Sequence, residues 1–148
     1  HTAIETCGYV DWEILDKILP YLDLIYIDIK HMSSDRHKEL TGVGNELILE
    51  NIKKIDEADA KLPLIVRIPV IPGLNDSAEN IRKTAEFVGR LRGVERVELL
   101  PYHRYGLLMY RVLFRDYTLQ KVGIPSEEHL NDLKNIIRTY HIPVQVGG

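Results

Sequence analysis

The stretch Leu24-Ile25-Tyr26-Ile27-Asp28-Ile29-Lys30 decides the fold. It is short, rich in β-branched and aromatic residues, and reads as a β-strand. Successive side chains of a strand point to opposite faces, so Ile25, Ile27 and Ile29 share one face and Tyr26, Asp28 and Lys30 the other. The isoleucine face suits a covering layer of helices. Asp28 and Lys30 then point the other way, into the mouth of a barrel.

The neighbouring segments repeat the strand–helix theme. Upstream, Thr2–Thr6 reads as a strand that turns at Gly8, and Asp11 caps a helix over Trp12–Leu22 with Trp12, Leu15, Ile18 and Leu19 at helical spacing. Downstream, Ser33 or Ser34 caps a short helix that stops near Thr41-Gly42, and Asn45 opens another with Ile48, Ile52 and Ile55 on one face. Leu64–Val70 is a third strand, closed by Pro72-Gly73. Asp76 with Glu79 resembles a capping box for a helix to Leu91. Val94–Leu100 is a fourth strand. Ser126-Glu127-Glu128 starts the last helix, with Leu130, Leu133, Ile137 and Tyr140 inward, and Pro143–Val146 reads as a short terminal strand.

Alternating strands and helices predict right-handed βαβ units and a parallel sheet. The expected class is α/β, a parallel-sheet partial TIM-type barrel, with residues 1–148 forming one such partial domain. Four strand–helix units make half of a (β/α)8 barrel or two-thirds of a six-unit one. A doubly wound open sheet competes, but no Gly-rich turn follows the first strand, which lowers its dinucleotide-binding version.

Composition narrows the function classes. The 148 residues amount to about one ordinary domain, and 45% hydrophobic with 28% charged residues excludes wholesale disorder. Lys plus Arg is 19 against 22 for Asp plus Glu, a net charge of -3, which argues against nucleic acid as partner. The longest apolar stretch, Leu62 to Leu74, is broken by Arg67 and by Pro63, Pro69 and Pro72, so no membrane span is expected. A single cysteine, Cys7, cannot build an internal disulfide, an iron–sulfur cluster or a structural zinc site, and points to a cytoplasmic compartment. The opening His1-Thr-Ala-Ile-Glu-Thr-Cys-Gly lacks the marks of a signal peptide and begins inside a strand, which predicts a piece of a longer protein.

In parallel α/β folds chemistry gathers at the C-terminal strand ends. Here those ends carry Glu5 and Thr6, Asp28 and Lys30, Arg67, and Leu99-Leu100-Pro101-Tyr102-His103. Each has a bland reading: Asp28 and Lys30 as a plain ion pair, Arg67 as a structural partner of Glu98, His103 as a satisfied surface histidine, Glu5 as a solvated residue. A buried charge without a partner costs several kcal/mol, so Arg67 in an apolar strand needs a carboxylate or an anion nearby. Four polar strand ends together predict a convergent polar site without naming the reaction. His31 and His37 read as surface histidines and Cys7 as an inert small residue. The long segment Arg104–Ile124, with Tyr105, Tyr110, Phe114 and Tyr117, reads equally as a functional lid or as a surface loop.

Taken together, His1-Thr-Ala-Ile-Glu-Thr-Cys-Gly-Tyr, Tyr26-Ile-Asp-Ile-Lys-His-Met, Leu40-Thr-Gly-Val-Gly-Asn, Arg67-Ile-Pro-Val-Ile-Pro-Gly-Leu-Asn-Asp and Val97-Glu-Leu-Leu-Pro-Tyr-His resemble the activating enzymes of glycyl radical enzymes, of the pyruvate formate-lyase activating type. These are radical S-adenosylmethionine (SAM) oxidoreductases. The resemblance implies the C-terminal half of a radical SAM (β/α)6 barrel, with SAM and a 4Fe-4S cluster as cofactors and the cluster's cysteines outside this chain. It further implies reductive cleavage of SAM to a 5′-deoxyadenosyl radical that abstracts hydrogen from a glycine of a partner glycyl radical enzyme. An electron donor such as flavodoxin or ferredoxin is implied with it.

Residue by residue, Glu5 and Thr6 resemble an acidic–Thr pair beside the SAM carboxylate, where a monovalent cation binds, and Asp28 a second ligand of that cation. Lys30 is similar to the lysine of an Asp-x-Lys motif at the SAM site. Arg67 and His103 resemble basic residues flanking SAM and the bound glycyl loop. The sequence departs from the family after His103, where Met109-Tyr110 and Leu113-Phe114 stand in place of Lys-Tyr and Leu-Gly. Two rivals remain at this point: a cluster-independent barrel lyase or isomerase using Lys30 as a Schiff base or Asp28 as a general base, and a non-catalytic half-barrel binding module. An isolated half-barrel is also expected to self-associate through its strand edge and inner face.

Overall fold

The computed structural model describes residues 1–58 and 61–147. Five strands, β1 (Ala3–Thr6), β2 (Leu24–Asp28), β3 (Leu64–Val70), β4 (Val94–Pro101) and β5 (Val144–Val146), pair in parallel in the order β1-β2-β3-β4-β5. Each strand lies beside its successor in sequence. That is the winding of a TIM-type barrel, and it excludes the doubly wound sheet, in which the strand order reverses.

Helices cover one face. Ile25, Ile27, Ile29, Leu64, Val66, Ile68, Val70, Val97 and Leu99 pack in one core with residues of α3 (Glu46–Ala58), α4 (Ala78–Val88) and α6 (Glu127–Arg138). Ile48, Ile52 and Ile55 come from α3, Ile81, Ala85 and Val88 from α4, and Leu130, Leu133 and Ile137 from α6. Fully burying one such aliphatic side chain contributes about 1.5–3 kcal/mol, so this face holds the sheet to its helices. The opposite face, carrying Glu5, Tyr26, Asp28, Arg67 and Glu98, is left for chemistry. The sequence-predicted alternation at β2 is borne out.

Several boundaries differ from expectation for identifiable reasons. α1 spans Trp12–Ile18 and gives way to a 3-10 turn, Leu19–Tyr21, because Pro20 has no N–H for a helical bond. α2 (Ser34–Thr41) starts where expected, with Ser33 accepting from the Arg36 N–H, and stops at Gly42 with φ +90. Ser77, not Asp76, caps α4, its hydroxyl accepting from the Asn80 N–H at 3.2 Å. Asp76 is drawn off instead to the Gly73 N–H, 2.8 Å away, and to His129 Nε2, 2.7 Å away. α4 ends at Val88 rather than Leu91. The long segment after β4 contains a helical turn, α5 (Leu107–Val112), with no counterpart in the sequence reading. Among the described residues no helix is long and apolar enough to cross a membrane.

Candidate active site at the strand ends

The parallel register sets Asp28 of β2 directly opposite Arg67 of β3, and Glu5 of β1 opposite Tyr26 of β2. Neighbours in register point to the same face, so Glu5, Tyr26, Asp28 and Arg67 meet. Arg67 Nε lies 3.0 Å from Asp28 Oδ1 and its Nη1 3.0 Å from Glu5 Oε2. The guanidinium stands 5.4 Å from the Tyr26 ring centre, in a cation–π arrangement. Lys30 Nζ takes the second Asp28 oxygen at 3.0 Å.

The result is a chain of alternating charge, Glu5–Arg67–Asp28–Lys30, across three adjacent strand ends. Only 15% of the Arg67 side chain and 19% of the Asp28 side chain is exposed. Burial is the largest influence on Arg67 and opposes its charge, but the pull of Asp28 and Glu5 together outweighs it and raises its pKa above the ordinary value. The structural alternative that paired Arg67 with Glu98 does not hold. Buried Glu98 instead accepts from Arg96 Nε at 2.9 Å and from Gln145 Nε2 at 2.8 Å.

Two residues expected in the site lie apart from it. Thr6 follows Glu5 and so falls on the opposite face, beside Ile27 in register, and its hydroxyl accepts from the Gly8 N–H at 2.9 Å. His103 is exposed beyond β4, its ring 4.3 Å from that of Tyr105. Cys7 is a free, exposed thiol. His37 corrects the surface reading given to it: it is buried, with Nδ1 2.7 Å from the Val43 carbonyl and 3.1 Å from the Thr41 hydroxyl, locking the turn that ends α2.

The segment after β4 is a built structure beside the site. Tyr102 and Tyr117 share a 2.5 Å hydroxyl–hydroxyl bond, and Arg104 Nη2 donates to the Val122 carbonyl at 2.9 Å. Burial and then the Tyr102 bond push the Tyr117 pKa up to about 12. A cavity of about 270 Å³ opens between this segment and Lys30, lined in part by Thr41, Ile71, Leu74, Tyr110 and Leu119.

Sequence reasoning missed the asparagines. Asn75 and Asn80, both buried, tie the ends of β2 and β3 together, and Asn51 Nδ2 donates to the Gly8 and Val10 carbonyls at 2.9 and 2.7 Å. For Asn75 the signal was a proline inside a strand, Pro69, with an amide side chain six residues on.

The implied cofactors fit unequally. SAM offers a carboxylate, an ammonium, a sulfonium and ribose hydroxyls, and a mixed-sign cluster with an ammonium one-third exposed at Lys30 suits it. A 4Fe-4S cluster does not fit this chain's own residues, since it needs thiolates and only Cys7 exists. Nor does the monovalent cation: Arg67 stands between the Glu5 and Asp28 carboxylates, Thr6 faces away, and among the described residues no group of three or more His, Cys, Asp or Glu converges on a metal position.

No protein-family model matches the chain. It is 44% identical over 147 residues to the 4-hydroxyphenylacetate decarboxylase activating enzyme of Clostridioides difficile (strain CD196), covering 99% of this chain and 46% of that protein. It is 44% identical over 137 residues to the (2S)-3-sulfopropanediol sulfolyase activating enzyme of Bilophila wadsworthia, covering 93% of this chain and 44% of the relative. The chain thus spans about half the length of these curated relatives. A crystal structure of a domain of pyruvate-formate lyase-activating enzyme from Bacteroides vulgatus ATCC 8482 superposes with a TM-score of 0.82 at 35% identity, covering all of this chain and 81% of the other. The fold and these relatives agree, and the chain belongs to the radical SAM activating enzymes of glycyl radical enzymes.

Proposed function

We propose that this chain supplies part of the SAM site of a cytoplasmic activase that acts on a glycyl radical enzyme. The observation that carries the reading is the Glu5–Arg67–Asp28–Lys30 chain of charges at the C-terminal strand ends. Lys30 and Arg67 offer cationic donors to the SAM carboxylate, and Asp28 and Glu5 offer acceptors to its ammonium and hydroxyls. The four side chains hold one another in place before SAM arrives, which lowers the cost of ordering them on binding. When bound, SAM and the cluster, whose ligands we assign to protein outside this chain, supply the one-electron chemistry that removes a hydrogen atom from the partner's glycine. A flavodoxin or ferredoxin is the proposed electron donor.

Two of the relatives at 44% identity are named for a decarboxylase and a sulfolyase, while the one named for pyruvate formate-lyase stands at 35%. The partner we propose is therefore a glycyl radical enzyme other than pyruvate formate-lyase. The test is anaerobic: the full-length protein, reconstituted with iron and sulfide and reduced with dithionite, should convert SAM to 5′-deoxyadenosine and methionine. A reconstituted, reduced protein that leaves SAM intact contradicts the reading.

A further inference from the structure

We infer that Asn75 is a positioning residue for Lys30, because its side-chain amide ties the Lys30 carbonyl to β3 at the point where Pro69 interrupts the ladder; this rests on the SAM-site reading above. The β2–β3 ladder runs regularly up to the bond from the Ile29 N–H to the Arg67 carbonyl, 2.9 Å. Backbone groups of alternate residues face the same neighbour, so the following rung calls for an N–H from residue 69. Proline has none, and proline inside a strand is ordinarily confined to edges or irregularities. β3 is not an edge, since β2 and β4 flank it. The sheet would part at this point, immediately beyond Asp28 and beside Lys30.

The Asn75 side chain fills the break. Its Nδ2 donates to the Lys30 carbonyl at 3.0 Å and to the Pro69 carbonyl at 2.5 Å, so one amide group joins both strands. Its Oδ1 accepts from the Ile71 N–H at 2.8 Å, which folds the turn after β3 back onto the same side chain. Both Nδ2 partners are carbonyls and the Oδ1 partner is an N–H, so the network admits only this orientation of the amide. Asn80 extends the tie: its Nδ2 donates to the Asn75 carbonyl at 2.8 Å, and its Oδ1 accepts from the Met32 N–H at 2.9 Å. Asn75 is buried and makes none of the ion pairs of the charge cluster; its direct tie to a cluster residue is to the backbone carbonyl of Lys30.

The experiment is a double-mutant cycle on the full-length protein, with equilibrium SAM affinity as the readout. K30A is expected to weaken SAM about tenfold, as loss of one charge-assisted contact does. N75A is expected to weaken it severalfold, and K30A/N75A no further than K30A alone, because Asn75 acts through Lys30. If N75A does not fold, N75D keeps the volume and the acceptor, loses the paired donors, and serves in the same cycle. Wild-type affinity in the Asn75 variants, or penalties that multiply in the double mutant, overturns the inference while leaving the SAM-site reading intact. Wild-type affinity in K30A overturns the role given to Lys30 and the inference with it.

Discussion

Arg67 and Asp28, 39 residues apart in sequence, face each other across β3 and β2 with Nε and Oδ1 3.0 Å apart. The pair exists only once the two strands have docked, and neither partner is well exposed. R67A leaves Asp28 with Lys30 alone and frees Glu5. The expected loss is about 1–3 kcal/mol of stability, read from denaturant midpoints. R67K should recover only part of it, since an ammonium is a point charge and cannot serve both carboxylates as the forked guanidinium does.

Gly8, with φ +70, turns the chain out of β1, and a Cβ built there would stand 2.8 Å from Ile27 Cδ1. Ile27 is fully buried, so a Cβ at Gly8 crowds a packed side chain. Gly42, with φ +90, has nothing within 4 Å of such a Cβ. Both substitutions to alanine meet the left-handed backbone penalty of about 1–2 kcal/mol, and only G8A adds a clash. Thermal melts should therefore rank G8A below G42A; equal melting temperatures would mean the β1–α1 turn relaxes freely.

Burial, and next the charge of Arg36, lower the pKa of His31 from 6.5. The neutral ring also accepts the Ser33 N–H at 2.9 Å. A pKa lowered in the folded state means the unfolded chain binds the proton more readily. The His31 contribution is then complete above pH 6.5 and is lost as pH falls through the lowered folded value. H31Q should move the acid-unfolding midpoint to lower pH, and an unmoved midpoint would show that the β2–α2 turn does not depend on the ring.

The 148-residue chain by itself is expected to assemble no 4Fe-4S cluster, having the single thiol Cys7. Iron and sulfide analysis after anaerobic reconstitution checks this. Stoichiometric cluster on this chain would mean that the ligands are not the cysteines of a three-thiolate motif elsewhere.

The sheet was legible because β2 separates its faces so cleanly: Ile25, Ile27 and Ile29 reach the core as expected, and Asp28 and Lys30 do not. That Arg67 needs a carboxylate was also legible from its place in an apolar strand. Which carboxylate was not. Arg67 stands in register with Asp28 on one side and Glu98 on the other, and only the side-chain geometry shows that Asp28 and Glu5 answer it while Glu98 is taken by Arg96 and Gln145. Glu5 and Thr6 were read as a pair, yet adjacent residues of a strand cannot share a face. His37 looked solvated because its helix is short and polar; the local Thr41-Gly42-Val43 turn that ends the helix folds back over it. Asn75 and Asn80 escaped because their bonds reach up to 48 residues along the chain.

The most direct measurement of the central claim is SAM affinity of the full-length protein carrying Arg67→Ala or Asp28→Ala. Each removes a charged group from the strand-end cluster, a loss of about 1.5–3 kcal/mol for a charge-assisted contact. The predicted result is binding weaker by about ten- to a hundredfold in each variant, with the fold retained by circular dichroism. Wild-type SAM affinity in both folded variants would contradict the assignment of this cluster to SAM.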